Sequence, residues 1–199
     1  FISREAVSAV SQQLSRATAM LLGPGFGLEQ TTKDFLVNLF EGSLPPLVVD
    51  ADGLKLMAQI PGWNKKLPEL SVLTPHPGEM SILTGLSTVA IQKDRNEIAA
   101  KYAREWGQVV VLKGAFTVIA APDGRIAILP IASAALARAG TGDVLAGIIT
   151  GLRAQGVEAF EAAAAGAWIH AQAGLAALEE VGSTASILAG DVLDCINDV

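Results

Sequence analysis

The sequence predicts an α/β domain: a mainly parallel central sheet flanked by helices, with an appended β-hairpin. Three observations lead there. Short apolar runs end four times in Gly-, Pro- or Asp-rich loops, helical segments separate those runs, and the chain from Gly142 onward is helical and rich in Ala. Strands joined through helices pair in parallel with right-handed crossovers. The loops after them therefore converge on the carboxyl edge of the sheet, where open α/β sheets bind ligands.

Each element has a local cause. Between Ser3 and Ala17 the apolar positions Ala6, Val7, Val10, Leu14 and Ala17 recur at helical spacing. Ala19 to Leu22 is an apolar strand stopped by Gly23-Pro24-Gly25-Phe26-Gly27, which cannot continue it. Thr31 to Phe40 has helical character and Pro45-Pro46 ends it. Leu47-Val48-Val49 leads into Asp50-Ala51-Asp52-Gly53, and Ser71-Val72-Leu73 into Thr74-Pro75-His76-Pro77-Gly78-Glu79. A helix over about Ile91 to Trp106 precedes the strand Val109 to Leu112 and Lys113-Gly114. Phe116 to Ala120 and Ile126 to Leu129, separated by Pro122-Asp123-Gly124, form the hairpin. With no repeat, linker or low-complexity tract, residues 1–199 read as a single domain.

With 51% hydrophobic and 17% charged residues, the chain is not disordered, and roughly 70% of its surface can be buried on folding. Its longest apolar stretches are too short to span a bilayer. One cysteine, Cys195, cannot form an internal disulfide, and no apolar leader opens the chain, so a cytoplasmic setting is expected. Fourteen Lys and Arg against 20 Asp and Glu, a net charge of −6, argue against nucleic acid as a partner.

The chemistry concentrates in Gly140-Thr141-Gly142-Asp143, a glycine turn that opens an apolar helix. First-turn amides lack intrahelical partners and carry partial positive charge, so they suit a phosphate. Thr141 as a cap and Asp143 as a dipole partner would explain those two residues but not two glycines. A carboxylate about 4 Å from a phosphate charge costs about 4 kcal/mol at an effective dielectric near 20. A divalent cation, a lysine or proton uptake by the carboxylate would each offset that cost; the last is the behaviour of a general base, so Asp143 as base predicts Mg²⁺ nearby.

Lys113 to Thr117 follows a strand, which directs Lys113 toward either a nucleotide phosphate or solvent. Asp50 and Asp52 suit a hard cation or hydroxyl groups if the strand continues, or else an Asx turn. His76, held extended before Pro77, is either displayed for ligand contact, the favoured reading, or a structural histidine in a turn. Glu79 either orients Mg²⁺ or its water, or complements a helix dipole. His170 and Trp168 read as packing residues.

Gly23-Pro24-Gly25-Phe26-Gly27, Asp50-Ala51-Asp52-Gly53, Thr74-Pro75-His76-Pro77-Gly78-Glu79, Lys113-Gly114-Ala115 and Gly140-Thr141-Gly142-Asp143, in this order and with the closing Leu188-Ala189-Gly190-Asp191, resemble the ADP/ATP-dependent NAD(P)H-hydrate dehydratases of the ribokinase-like superfamily. The resemblance implies that ADP or ATP phosphorylates the added hydroxyl of hydrated NADH or NADPH, and that loss of phosphate restores the nicotinamide double bond. It implies Lys113, Gly114, Ala115, Phe116, Thr117, Gly140, Thr141 and Gly142 as nucleotide contacts. Gly25, His76 and Asp143 would contact the hydrated dinucleotide, with Asp143 as catalytic base; the residues themselves, apart from the resemblance, make Glu79 and Asp52 the candidate Mg²⁺ ligands. It further implies a homotetramer in metabolite repair, and a domain whose usual N-terminal part, a strand, glycine-rich turn and helix, is absent from this chain. A small-molecule kinase of the same superfamily, acting on a vitamin precursor or sugar, and a non-catalytic nucleotide-binding protein are the alternatives.

Overall fold

The computed structural model describes residues 2–199. After α1 (Ala6–Leu14), the strands β1 (Met20–Leu22), β2 (Leu47–Val49), β3 (Val72–Leu73) and β4 (Val109–Leu112) pair in parallel. The hairpin strands β5 (Val118–Ala120) and β6 (Ile126–Ile128) continue the same sheet antiparallel, in the order β1-β2-β3-β4-β5-β6. Each parallel crossover thus steps one strand in the same direction. Right-handed connections then place every crossover helix on one face. These are α2 (Gln30–Leu39), α3 (Asp52–Met57), α4 (Pro77–Thr84), α5 (Thr88–Lys93) and α6 (Arg95–Trp106).

The opposite face is left for the C-terminal helices α7 (Thr141–Ala154) and α8 (Ala159–Val181). Strand alternation supplies both cores. Leu47, Val49, Leu73, Val110 and Leu112 pack with Phe35, Leu36, Leu54, Met57 and Trp106 on the crossover side. Val48, Val72, Val109 and Val111 pack with Leu145, Ile149, Ala163 and Ala167 on the other. A smaller cluster joins α8 to α9 (Ala189–Asp194) and the closing 3₁₀ turn Cys195–Asp198, with the Cys195 thiol buried in it. Among the described residues no helix is long and apolar enough to cross a membrane.

Three local expectations are corrected. The single helix over Ile91 to Trp106 is two, because Asp94 leaves helical geometry at φ −131° and ψ 48°. Asp competes for nearby backbone groups and favours such breaks. The hairpin strand begins at Val118, since Phe116 has φ 55° and the Thr117 hydroxyl donates to the Gly114 carbonyl, which makes a turn there. Trp168 is 46% exposed. The buried stripe of α8 runs through Ala163, Gly166, Ala167, His170 and Ala171, so position 168 faces outward.

One backbone approach joins the first two loops at the carboxyl edge. Gly23, at φ +123°, lies so close to the next loop that a Cβ would sit 1.8 Å from the Asp50 carbonyl oxygen and 2.7 Å from the Gly53 nitrogen. Neither neighbour is a flexible side-chain end, so backbone must move. Gly23→Ala is expected to destabilise the fold by about 3 kcal/mol or more. Urea denaturation checks this, and a midpoint equal to that of the parent chain would contradict the close contact.

Candidate functional site

Backbone hydrogen bonds tie four loops together at the carboxyl edge. The Asp50 N–H donates to the Leu22 carbonyl at 3.0 Å, and the Thr74 N–H and hydroxyl both donate to the Val49 carbonyl, at 3.1 and 3.3 Å. The Lys113 N–H donates to the Pro75 carbonyl at 2.9 Å. Across this frame the Lys113 Nζ lies 2.6 Å from Asp50 Oδ1 and 3.7 Å from Glu79 Oε2. Both carboxylates are buried, and Asp50 Oδ2 has no hydrogen-bond partner among the described residues. Two sequestered carboxylates therefore share one ammonium. Removing the lysine from such an arrangement costs about 3 to 5 kcal/mol, because it leaves buried charge unpaired.

His76 is the N-cap of α4. Its Nδ1 accepts the N–H groups of Gly78 and Glu79, at 3.0 and 3.3 Å, while Glu79 Oε2 accepts the His76 N–H at 2.9 Å. This reciprocal box uses Nδ1 as an acceptor, so the ring proton of the neutral form sits on Nε2, 3.3 Å from Glu79 Oε1. The prolines at 75 and 77 fix the entry and the first turn.

The start of α7 faces this cluster. Its N-cap is Gly140, in left-handed geometry at φ +87°, without a side-chain cap. Thr141 is not the cap; its hydroxyl donates backward to the carbonyls of Leu136 and Arg138, at 2.7 and 2.8 Å, and so braces the preceding loop. No backbone acceptor among the described residues takes the Gly142 N–H. A Cβ on Gly142 would lie 3.4 Å from Lys113 Nζ and 3.8 Å from Asp50 Oδ2. The absence of a side chain thus brings the open, positively polarised Gly142 N–H against the ion pair, while the Thr141 and Asp143 N–H groups donate to the Arg138 and Gly140 carbonyls.

A cavity of about 710 Å³ opens beside this junction. His76, Lys113, Gly114, Ala115, Thr117, Thr141 and Gly142 line it, as do the apolar side chains of Leu129, Leu136 and Leu145. A separate hollow of about 480 Å³ lies across α7 and is lined by Asp143, Val144, Gly147, Ile148, Leu193 and Ile196. Residues 142 and 143 divide the two hollows, one facing each.

Several anticipated residues fall elsewhere. Phe116 is exposed and does not line the cavity. Gly25 sits in the exposed loop after β1, outside both hollows. Gly140 is the N-cap rather than a wall residue. Asp52 opens α3 and is engaged by Lys55 Nζ at 2.9 Å and by the Gly27 N–H at 3.1 Å. Because β2 ends at Val49, the two aspartates do not share a strand face, and Asp50 rather than Asp52 shares the lysine with Glu79.

Of the cavity-lining residues not anticipated, two are titratable. Arg138 lies two residues upstream of the glycine turn, a position that could have signalled it. His170 is buried, lines the cavity, and has an unpartnered Nε2. Its signal was a lone imidazole on a helix face otherwise made of Ala and Gly. Burial pushes its pKa down to about 4; the Thr141 backbone opposes that shift and the Lys113 charge adds to it. Between about pH 6.5 and 4 the unfolded chain binds a proton here that the folded chain does not, so stability falls as pH drops through this window. The loss amounts to about 3 kcal/mol for this group. Denaturation at pH 7 and pH 4.5 in the parent and His170→Gln checks this; equal pH dependence in the two would contradict it.

The NAD(P)H-hydrate dehydratase family model matches residues 2–197. The bifunctional NAD(P)H-hydrate repair enzyme Nnr of Moorella thermoacetica is 45% identical over 197 residues, covering 97% of this chain and 36% of that protein. The crystal structure of ADP/ATP-dependent NAD(P)H-hydrate dehydratase from Bacillus subtilis, co-crystallised with ATP/Mg²⁺ and soaked with CoA, superposes with a TM-score of 0.79. It is 30% identical, over 91% of this chain and 64% of that one. A ribokinase-like superfamily protein from Enterococcus faecalis, 23% identical with a TM-score of 0.79 over 99% of this chain and 67% of that one, agrees in fold alone. The chain thus spans between about a third and two thirds of the length of the first two relatives. Its fold is ribokinase-like. With the family model covering nearly its whole length, the chain belongs to the NAD(P)H-hydrate dehydratase family.

Proposed function

We propose that this chain uses ADP or ATP to dehydrate hydrated NADH or NADPH. The observation that carries the reading is the junction of Gly142, Lys113 and Asp50 between two hollows, one able to take a nucleotide and the other bordered by a carboxylate. The nucleotide occupies the larger cavity, its base against Leu129, Leu136 and Leu145 and its phosphates toward Lys113 and the first turn of α7. The hydrated nicotinamide ring lies on the Asp143 side, while His76, a wall residue of the larger cavity, would meet the part of the dinucleotide that reaches that cavity. Asp143 accepts the proton of the added hydroxyl as its oxygen bonds to the transferred phosphorus. The nucleotide loses that phosphoryl group, so ADP leaves as AMP. The phosphorylated ring then loses inorganic phosphate from the carbon that bore the hydroxyl and a proton from the adjacent carbon, taken up by the departing phosphate or solvent, and so regains its double bond. The Gly142 amide and the α7 dipole stabilise charge that develops on the phosphoryl oxygens.

Mg²⁺ belongs to the same reading. The unpartnered buried Oδ2 of Asp50 and the neighbouring Glu79 carboxylate are hard oxygen donors that suit it. Asp50 and Glu79 would hold it, and its charge would neutralise phosphate oxygens. A cytoplasmic setting and homotetrameric assembly complete the proposal. Exposed Val89, Leu188 and Leu193 supply apolar surface for subunit contact.

Mixing the chain with hydrated NADH and ADP is expected to restore NADH absorbance with release of AMP and free phosphate. Asp143→Asn is expected to lower kcat by about a hundredfold or more while ADP affinity is retained. Accumulation of a stable phosphoester instead of free phosphate would identify a kinase, and undiminished turnover in Asp143→Asn would falsify the base assignment.

A further inference from the structure

The cavity poses a charge problem that its expected lysine does not solve. A nucleotide di- or triphosphate is polyanionic, yet the Lys113 ammonium is already held 2.6 Å from Asp50 and 3.7 Å from Glu79. At a separation near 4 Å each further pair of like charges is strongly unfavourable in a partly desolvated site. Mg²⁺ held by Asp50 and Glu79 would offset part of this charge, and a cation elsewhere in the wall would add to it.

Among the described residues, Arg138 is the one permanently charged cationic residue of the cavity lining whose side chain makes no ion pair. His76 faces Glu79, and His170 is held neutral by burial. Arg138 is exposed but fixed: its Nε and Nη2 donate to the Thr184 carbonyl at 3.1 and 2.6 Å, and its own carbonyl accepts the Thr141 hydroxyl at 2.8 Å. No hydrogen bond occupies Nη1 among the described residues. A guanidinium held by a neutral carbonyl keeps its charge and its remaining donors available for phosphate oxygens. A second observation marks the same cavity as a ligand site. His170, only 7% exposed, lines it with an Nε2 that has no protein partner.

We propose that Arg138 is a specificity-determining residue that binds the phosphate chain of the nucleotide, and that it, rather than Lys113 alone, makes the cavity select di- and triphosphates over the bare nucleoside. This rests on the nucleotide reading of the cavity given above. Lys113 then acts mainly within the carboxylate cluster. Arg138, in the loop before α7, and the open Gly142 N–H would receive the anion together.

Isothermal titration of the chain with ADP and with adenosine, at fixed Mg²⁺ and salt, tests the assignment. Arg138→Gln should weaken ADP binding tenfold or more and change adenosine binding less than twofold. Arg138→Lys, which keeps the charge but loses the paired bonds to Thr184, should retain ADP affinity within about threefold. Parallel losses for both ligands, or no loss for ADP in Arg138→Gln, would overturn the proposal. So would an Arg138→Lys variant as defective as Arg138→Gln, which would show that the arginine acts through its Thr184 latch. If the parent chain binds neither ligand, the nucleotide reading itself fails and the proposal falls with it, an outcome distinct from the other three.

Discussion

A buried ion pair holds the carboxyl edge together. Lys113 follows β4 and Asp50 follows β2, so their 2.6 Å contact spans the intervening β3 and fixes the relative height of three loops. Glu79, delivered by the capping box of α4, adds a second carboxylate to the same ammonium. The start of α7 then approaches this cluster closely because residue 142 is glycine. If Lys113 is removed, two buried carboxylates lose the ammonium they share, and the loops lose their common anchor.

The topology makes this convergence possible. Sequential parallel strands put the crossover helices on one face and free the other for α7 and α8, which enter from the far side of the hairpin. As a result, the first turn of α7 meets the sheet edge where the strand loops end. Residues 142 and 143 face different hollows because successive helix residues are about 100° apart. One turn can therefore separate a phosphate donor from its acceptor while remaining in reach of both.

Most of the architecture was legible in the sequence. Apolar runs punctuated by glycine and aspartate marked every strand of the sheet, and Gly140-Thr141-Gly142-Asp143 marked the start of α7. Boundaries set by single backbone angles were not, as with Asp94 inside a helical pattern and Phe116 at the head of a strand. The site was legible by motif but not by pairing. Nothing in one dimension says that Lys113 turns toward Asp50, that Asp52 turns instead to Lys55, or that the loop before α7 presents Arg138 to the cavity. Those choices depend on which loops meet in space. The orientation of His170 likewise required knowing which face of α8 packs inward.

The account's central claim is that the α7 amides and the Lys113 cluster form one phosphate-binding junction. A crystal structure of the chain grown with ADP and Mg²⁺ tests it most directly. Phosphate density within hydrogen-bond distance of the Gly142 nitrogen, flanked by Lys113, is the predicted result. Ordered nucleotide seated elsewhere on the molecule, with this junction unchanged, would contradict it.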